Sequence, residues 1–238
     1  SRWKTSSVRP NMPSTDLTRK VAWITGGGSG IGLAGALELA RAGAHVVISG
    51  RTQRTNEQAL AQLKAAGSAE AILLDVSDKK AVAAAAAEIG KRRGRIDILV
   101  NSAGTNIAGG KRNLATMTAD GWDEVVRINL DGLFYCCFAV LPGMRSRKDG
   151  LIINISSWAG RYASQLTGPA YNATKRAVIA VTESINIEEC RNGIRATSIL
   201  PGEVATPIME KRPVPPSQEE RARMTQPEDL GAAILFVA

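Results

Sequence analysis

The stretch Val21-Ala22-Trp23-Ile24-Thr25-Gly26-Gly27-Gly28-Ser29-Gly30-Ile31-Gly32 sets a short apolar run against a glycine-rich turn, and a helix-period segment, Ile31 to Ala42, follows at once. Apolar run, tight turn and amphipathic segment in that order read as strand, loop and helix. Glycine lets the turn take positive φ and lets the backbone come close to a ligand. The first N–H groups of the following helix have no intrahelical acceptor and carry the positive end of its dipole. Gly26, Gly28, Ser29, Gly30, Ile31 and Gly32 therefore make a candidate site for an anion such as a pyrophosphate.

Working outward, strand-length apolar runs recur at Val21 to Ile24, His45 to Ser49, Ala71 to Leu74, Ile96 to Val100, Leu151 to Ile155 and Ile194 to Leu200. Helical periodicity fills the gaps at Ile31 to Ala42, Thr55 to Ala66, Lys79 to Arg92, Gly121 to Met144 and Tyr171 to Cys190, with Gly43, Gly67 and Gly193 as stops. Such alternation builds right-handed βαβ units, so the expected fold class is α/β, a doubly wound parallel sheet with helices on both faces. A last helical pattern, Pro227 to Ala238, has no strand after it, so the sheet is expected to lack its final strand. The length of 238 residues suits one domain, expected over residues 17–238 behind a flexible arm over residues 1–16.

Composition excludes several function classes. No stretch approaches the roughly eighteen uninterrupted apolar residues of a membrane span, and the first twenty residues lack the apolar segment of a secretory signal. Three cysteines and one histidine supply neither a disulfide framework nor a zinc-ligand cluster, so no metal is expected and a reducing, cytoplasmic setting is. The net charge of +8 is spread out, with short clusters only at Lys91-Arg92-Arg93 and Arg145-Ser146-Arg147-Lys148, so neither nucleic acid nor a membrane is an expected partner.

The chemistry is read at the strand ends. After the second strand comes Ile48-Ser49-Gly50-Arg51, with no acidic residue to hold a ribose 2′-hydroxyl and with an arginine whose fork of donors suits a 2′-phosphate. NADP(H) is the expected cofactor. Tyr171 and Lys175 stand four residues apart at the start of a long helix and so share a face. A positive charge beside a phenol favours phenolate and fits it for proton transfer. Ser156 and Ser157 close the fifth strand just upstream, Asn101-Ser102-Ala103-Gly104 closes the fourth, and Asn129 lies on the next helix.

These residues resemble the short-chain dehydrogenase/reductase family from Leu17 to Ala238. The glycine motif reads Thr25 to Gly32, the acidic residue at the third strand Asp75-Val76, the N-N-A-G motif Asn101 to Gly104 with Ser102 as a departure, and the proline-glycine stretch Pro201-Gly202-Glu203-Val204-Ala205-Thr206. The resemblance implies a Rossmann fold and an oxidoreductase that interconverts an alcohol and a ketone by hydride transfer at the nicotinamide. It implies Asn129, Ser157, Tyr171 and Lys175 as catalytic residues, with Tyr171 as acid/base, Ser157 polarising the carbonyl, Lys175 lowering the tyrosine pKa and Asn129 holding a relay water. It further implies Asp75, Val76, Asn101, Ala103, Gly104, Pro201, Gly202, Val204 and Thr206, with Tyr171 and Lys175, against the cofactor. Tyr171 lies one position farther from Ser157 than is usual in the family, which places an extra residue between Trp158 and Pro169.

Ser157, Trp158, Tyr162 and Gln165 are the expected substrate contacts, with Ile107 and Leu166 as further walls and Arg161 as a candidate cation for a carboxylate. A rival reading is a catalytically silent NADP-binding scaffold, although both Tyr171 and Lys175 are present. The two longest helices, with apolar Val178, Ile179, Ile185 and Ile187, are expected to pair copies into a homodimer or homotetramer.

Overall fold

The computed structural model describes residues 15–238, so the arm expected over residues 1–16 lies, but for its last two residues, outside the described residues. β1 (Val21–Thr25) leads through the glycine turn into α1 (Gly30–Arg41), and β2 (His45–Gly50), α2 (Gln53–Ala66), β3 (Ala69–Leu73) and α3 (Lys79–Arg93) repeat the unit. β4 (Ile98–Asn101) is followed by one long helical rod: α4 (Ala119–Val126), a π-helical turn (Arg127–Asp131) and α5 (Gly132–Arg147). Then come β5 (Gly150–Ile155), the short α6 (Trp158–Arg161), α7 (Pro169–Glu189), β6 (Ile194–Ile199), α8 (Gln218–Arg223) and α9 (Pro227–Val237). The six strands form one sheet in the order β3-β2-β1-β4-β5-β6, parallel throughout, and no seventh strand is present among the described residues. This is the expected single-domain Rossmann fold.

Strand alternation divides the core. Val21, Trp23, Val47, Leu99 and Ile152 face α3, α5 and α7, while Ala22, Ile24, Val46, Val100 and Ile153 face α1, α2 and α9. Because both faces are covered, the strands read as continuous apolar runs. At the carboxyl edge the register aligns a polar row, Ser49, Thr25, Asn101, Asn154 and Ser198, across five strands. Chain connections reverse direction between β1 and β4, and a doubly wound sheet opens its ligand crevice at that reversal.

The 29-residue rod Ala119–Arg147 is long and apolar enough by length and composition to cross a membrane, although charges interrupt the run; its apolar side, with Leu133, Cys136, Val140 and Met144, is packed on the sheet. Val178 and Ile185, expected to face a second copy, are instead buried within the chain, and it is Ile187, Phe134 and Phe138 that are exposed. The basic clusters are largely engaged, with Arg92 and Arg93 on Glu70 and Arg145 on Glu189.

Candidate active site

The glycine turn is built by close approach. Gly26 has φ +65, and a Cβ there would stand 2.7 Å from the backbone nitrogen of Ala103, so the first turn lies directly against the end of β4. A Cβ on Gly32 would meet the Gly26 carbonyl oxygen at 2.4 Å, which fixes glycine where α1 passes over the turn. Ser29 precedes α1 without a capping side-chain bond, and the helix has no acidic residue in its first turn. α2 and α7 likewise lack a side-chain cap, whereas α3 is capped by Asp78 and α4 by Thr118. The opening N–H groups of α1 are thus left for an external anion, and a dinucleotide pyrophosphate fits that donor set.

This turn forms one wall of a cleft of about 590 Å³. Of the expected cofactor contacts, Gly26, Ser29, Gly30, Ile31 and Arg51 line it. Ala103, Gly104, Pro201, Gly202, Val204 and Thr206 line it as well. Thr206 leans on the turn itself, its methyl 3.1 Å from where a Gly30 Cβ would be. Position 50 has no room for an acid without moving Asn56, whose Oδ1 would lie 2.7 Å from a Cβ there and whose Nδ2 donates to the Gly50 carbonyl at 3.0 Å. Arg51 is exposed and makes neither hydrogen bond nor ion pair among the described residues.

Several expected contacts lie elsewhere. Gly28 faces Thr55 of α2, and Gly32 is taken up by helix packing. The Asp75 carboxylate accepts the Ser77 N–H at 2.9 Å and the Ser77 hydroxyl at 2.8 Å, outside the cleft. Burial raises its pKa, but those two bonds, with Arg51 and Arg127 nearby, outweigh burial and hold it below the ordinary value. Val76 packs on Gly132. The side chain of Asn101 turns under the sheet, where Nδ2 donates to Asn154 Oδ1 at 2.9 Å and to Cys137 Sγ at 3.3 Å, while Asn154 donates on to Thr182. Its role in this structure is to tie β4 to β5 and α5, while Ser102, Ala103 and Gly104 of the same motif line the cleft.

Tyr171, Ser157 and Lys175 come together on the cleft wall. Lys175 is buried, its ammonium 5.5 Å from the centre of the Tyr171 ring, and Nζ donates to the Ile155 carbonyl at 2.8 Å. The Ser156 hydroxyl donates to the Lys175 carbonyl at 2.7 Å, so α7 is fastened to the end of β5 at both ends of that residue. Ser157 opens α6, its hydroxyl oxygen accepting the Ala159 N–H at 3.1 Å. Burial pulls the Lys175 ammonium down to about 8. Burial also pushes the Tyr171 phenol above its ordinary value, partly opposed by the Ser157 hydroxyl. The expected lowering of the tyrosine pKa by Lys175 is therefore not what this chain alone produces: desolvation dominates, and the lysine is itself desolvated.

Asn129 sits in the π-helical turn, a break that the sequence does not announce. Its Oδ1 accepts the Thr105 N–H at 2.7 Å, and its Nδ2 donates to the Thr105 carbonyl at 2.9 Å. Gly104, next in line, lies beside both groups: a Cβ on it would be 3.6 Å from Asn129 Oδ1 and from Lys175 Nζ.

Substrate walls differ from expectation. Trp158 and Leu166 line the cleft, but Ile107 packs toward Gly121, and Gln165 is exposed on the loop that takes up the extra residue before Pro169. Tyr162 packs tilted against Trp158, with ring centres 5.1 Å apart, and is 51% exposed, outside the cleft. Arg161 faces away, its Nε 3.4 Å from the Tyr162 hydroxyl. Arg112 and Thr167, which the sequence does not single out, take these places, with Lys211 from the end of the short helical turn Pro207–Lys211 that follows Thr206.

A family model described as short chain dehydrogenase matches residues 20–215. The chain belongs to the short-chain dehydrogenase family. This dehydrogenase is 37% identical over 231 residues to the short-chain reductase protein NovJ of Streptomyces niveus, covering 92% of this chain and 86% of that protein. It is 33% identical over 244 residues to a 2-keto-3-deoxy-L-fuconate dehydrogenase of Xanthomonas campestris pv. campestris, covering 96% and 77%. Among solved structures, a 3-ketoacyl-(acyl-carrier-protein) reductase from Brucella melitensis complexed with NADH aligns with a TM-score of 0.84 and 29% identity, over 94% of the dehydrogenase and 92% of that chain.

Proposed function

We propose that this oxidoreductase interconverts an alcohol and a ketone with NADP(H), using Tyr171 as general acid/base. The observation that carries the reading is the placement of Tyr171, Ser157 and Lys175 on the same cleft as the uncapped start of α1. When bound, the nicotinamide cofactor supplies or accepts the hydride. Gly30 and Ile31 of the glycine turn would hold its pyrophosphate, and Gly202 and Thr206 would flank it.

Desolvation keeps the Tyr171 phenol protonated, the form that donates a proton to a ketone oxygen during reduction. Oxidation requires the phenol to lose that proton first, so the reductive direction suits neutral pH. Ser157 directs its hydroxyl at the same oxygen and positions it. Lys175 places a cation at the reacting oxygen and phenol, and Asn129, by clamping Thr105, holds Gly104 beside that cation. The preference for NADP(H) rests on unengaged Arg51 and on the Asn56 amide that fills the space at Gly50.

Copies are proposed to pair through the exposed faces of α5 and α7, where Phe134 and Phe138 stack on each other with ring centres 6.1 Å apart. The three free cysteines fit a reducing, cytoplasmic setting.

The function is tested by following NADPH absorbance against a panel of ketones, and NADP against the matching alcohols. Substrate-dependent, reversible oxidation of NADPH is expected. Binding of NADPH without turnover of any carbonyl compound would instead favour a silent scaffold.

A further inference from the structure

Arg112 is 6% exposed and has no carboxylate partner among the described residues. Its guanidinium donates to three carbonyls from three loops, those of Ile107 at 2.6 Å, Leu166 at 3.2 Å and Lys211. Its Nε remains buried without a partner. A cation buried on carbonyl dipoles alone, with a donor left over, is costly unless an anion joins it. Desolvation and the neighbouring Arg212 both press it toward losing charge.

Lys211 stands beside it on the same cleft wall, its Nζ donating to the Thr105 hydroxyl at 2.5 Å, again with no acid in reach among the described residues. The one acidic residue lining the cleft, Glu203, is held by Arg212 at 2.7 Å. Both cations are anchored next to the reacting centre. Thr105, which Lys211 touches, is the residue clamped by Asn129 and adjoins Gly104 at Lys175. The Arg112 backbone is pressed on Gly168, where a Cβ would fall 2.1 Å from its carbonyl oxygen, and Gly168 precedes the helix that carries Tyr171.

We infer that the substrate carries an anionic group, a carboxylate or a phosphate, seated between Arg112 and Lys211 while its carbonyl meets Tyr171 and Ser157. This rests on the dehydrogenase reading of the cleft and names its substrate class. A neutral substrate leaves the buried Arg112 charge without an anion, whereas an anionic group completes it and is met by the partly exposed Lys211 beside it.

The experiment compares wild type, Lys211→Met and Lys211→Arg with NADPH and three ketones of one skeleton: the free acid, its primary amide and a phosphate ester. Wild type is expected to favour an anionic member over the amide at least tenfold in kcat/KM, the worth of one charge-assisted bond. Lys211→Met should cut that ratio roughly tenfold through KM, and Lys211→Arg, which keeps the charge, should retain most of it. Which anion gains identifies carboxylate or phosphate. Equal use of amide and anions by wild type, or an unchanged ratio in Lys211→Met, overturns the inference.

Binding is read in parallel from quenching of Trp158 fluorescence, with Trp158→Phe as control. If no ketone is reduced, the oxidoreductase reading fails. The anion site is then decided by whether acid or phosphate, but not amide, quenches wild type and whether Lys211→Met removes that quench.

Discussion

Lys175 is an ammonium buried against the end of β5, and replacing it by methionine should trade catalysis for stability in the cofactor-free protein. Burial lowers its pKa from 10.5 to about 8, and that displacement corresponds to roughly 3 kcal/mol of destabilisation while the group is charged. The sign follows from proton binding: between the folded and unfolded values the unfolded chain holds more protons, so stability rises with pH in that window. The cost is fully present below pH 8 and fades as pH climbs toward 10.5. Lys175→Met removes it, but also removes the donor to the Ile155 carbonyl, and a carbonyl left unpaired costs about 1–3 kcal/mol. The variant should therefore be about 1 kcal/mol more stable than wild type at pH 7 and about 1–2 kcal/mol less stable at pH 10. Urea unfolding of both proteins at the two pH values measures the difference, and turnover should be lost at either. A stability difference that does not change with pH would show that Lys175 is not desolvated as its packing implies, and the reasoning would fail.

The remaining expectations are more local. Arg51→Ala should lower the kcat/KM preference for NADPH over NADH roughly ten- to hundred-fold, the worth of a charge-assisted contact to the 2′-phosphate; an unaltered ratio at low ionic strength removes Arg51 from that role. Phe138, 68% exposed on α5, is expected in the contact between copies, so Phe138→Glu should turn a dimer into a monomer by light scattering at micromolar concentration. A wild-type monomer under the same conditions contradicts the proposed pairing.

The strand and helix succession is legible in the sequence because it is carried by local periodicity, and the glycine turn because Gly26 and Gly32 are demanded by contacts within one βα unit. The Tyr171–Lys175 pairing is equally local, one helical turn along α7. The orientation of Asn101 is not. Alternation places it on the face of Leu99 and Asn154 on that of Ile152, but a parallel sheet is apolar on both faces, so parity alone does not say which face meets ligand. Tyr162 and Gln165, expected as walls of the cleft, are instead turned to solvent, Tyr162 beside Trp158 and Gln165 on the loop before Pro169. Arg112 and the contact of Lys211 stayed hidden for another reason: apart from the nearby Ile107 carbonyl, their partners are carbonyls and a threonine hydroxyl far along the chain, and such bonds leave no spacing to read. The side chain of Asn129, in the π-helical turn, is likewise held by Thr105, a residue from another loop.

The central claim is that Tyr171 moves the proton. Tyr171→Phe keeps the ring that packs on Lys175 and removes only the hydroxyl, so the cofactor's surroundings stay in place. Measured together, the dissociation constant for NADPH should be nearly unchanged and the turnover number should fall by roughly 10²–10⁴, the usual worth of a positioned acid/base. A variant that retains more than about half of the wild-type turnover with ordinary substrate affinity would contradict the account, since a positioned acid/base is worth far more than that.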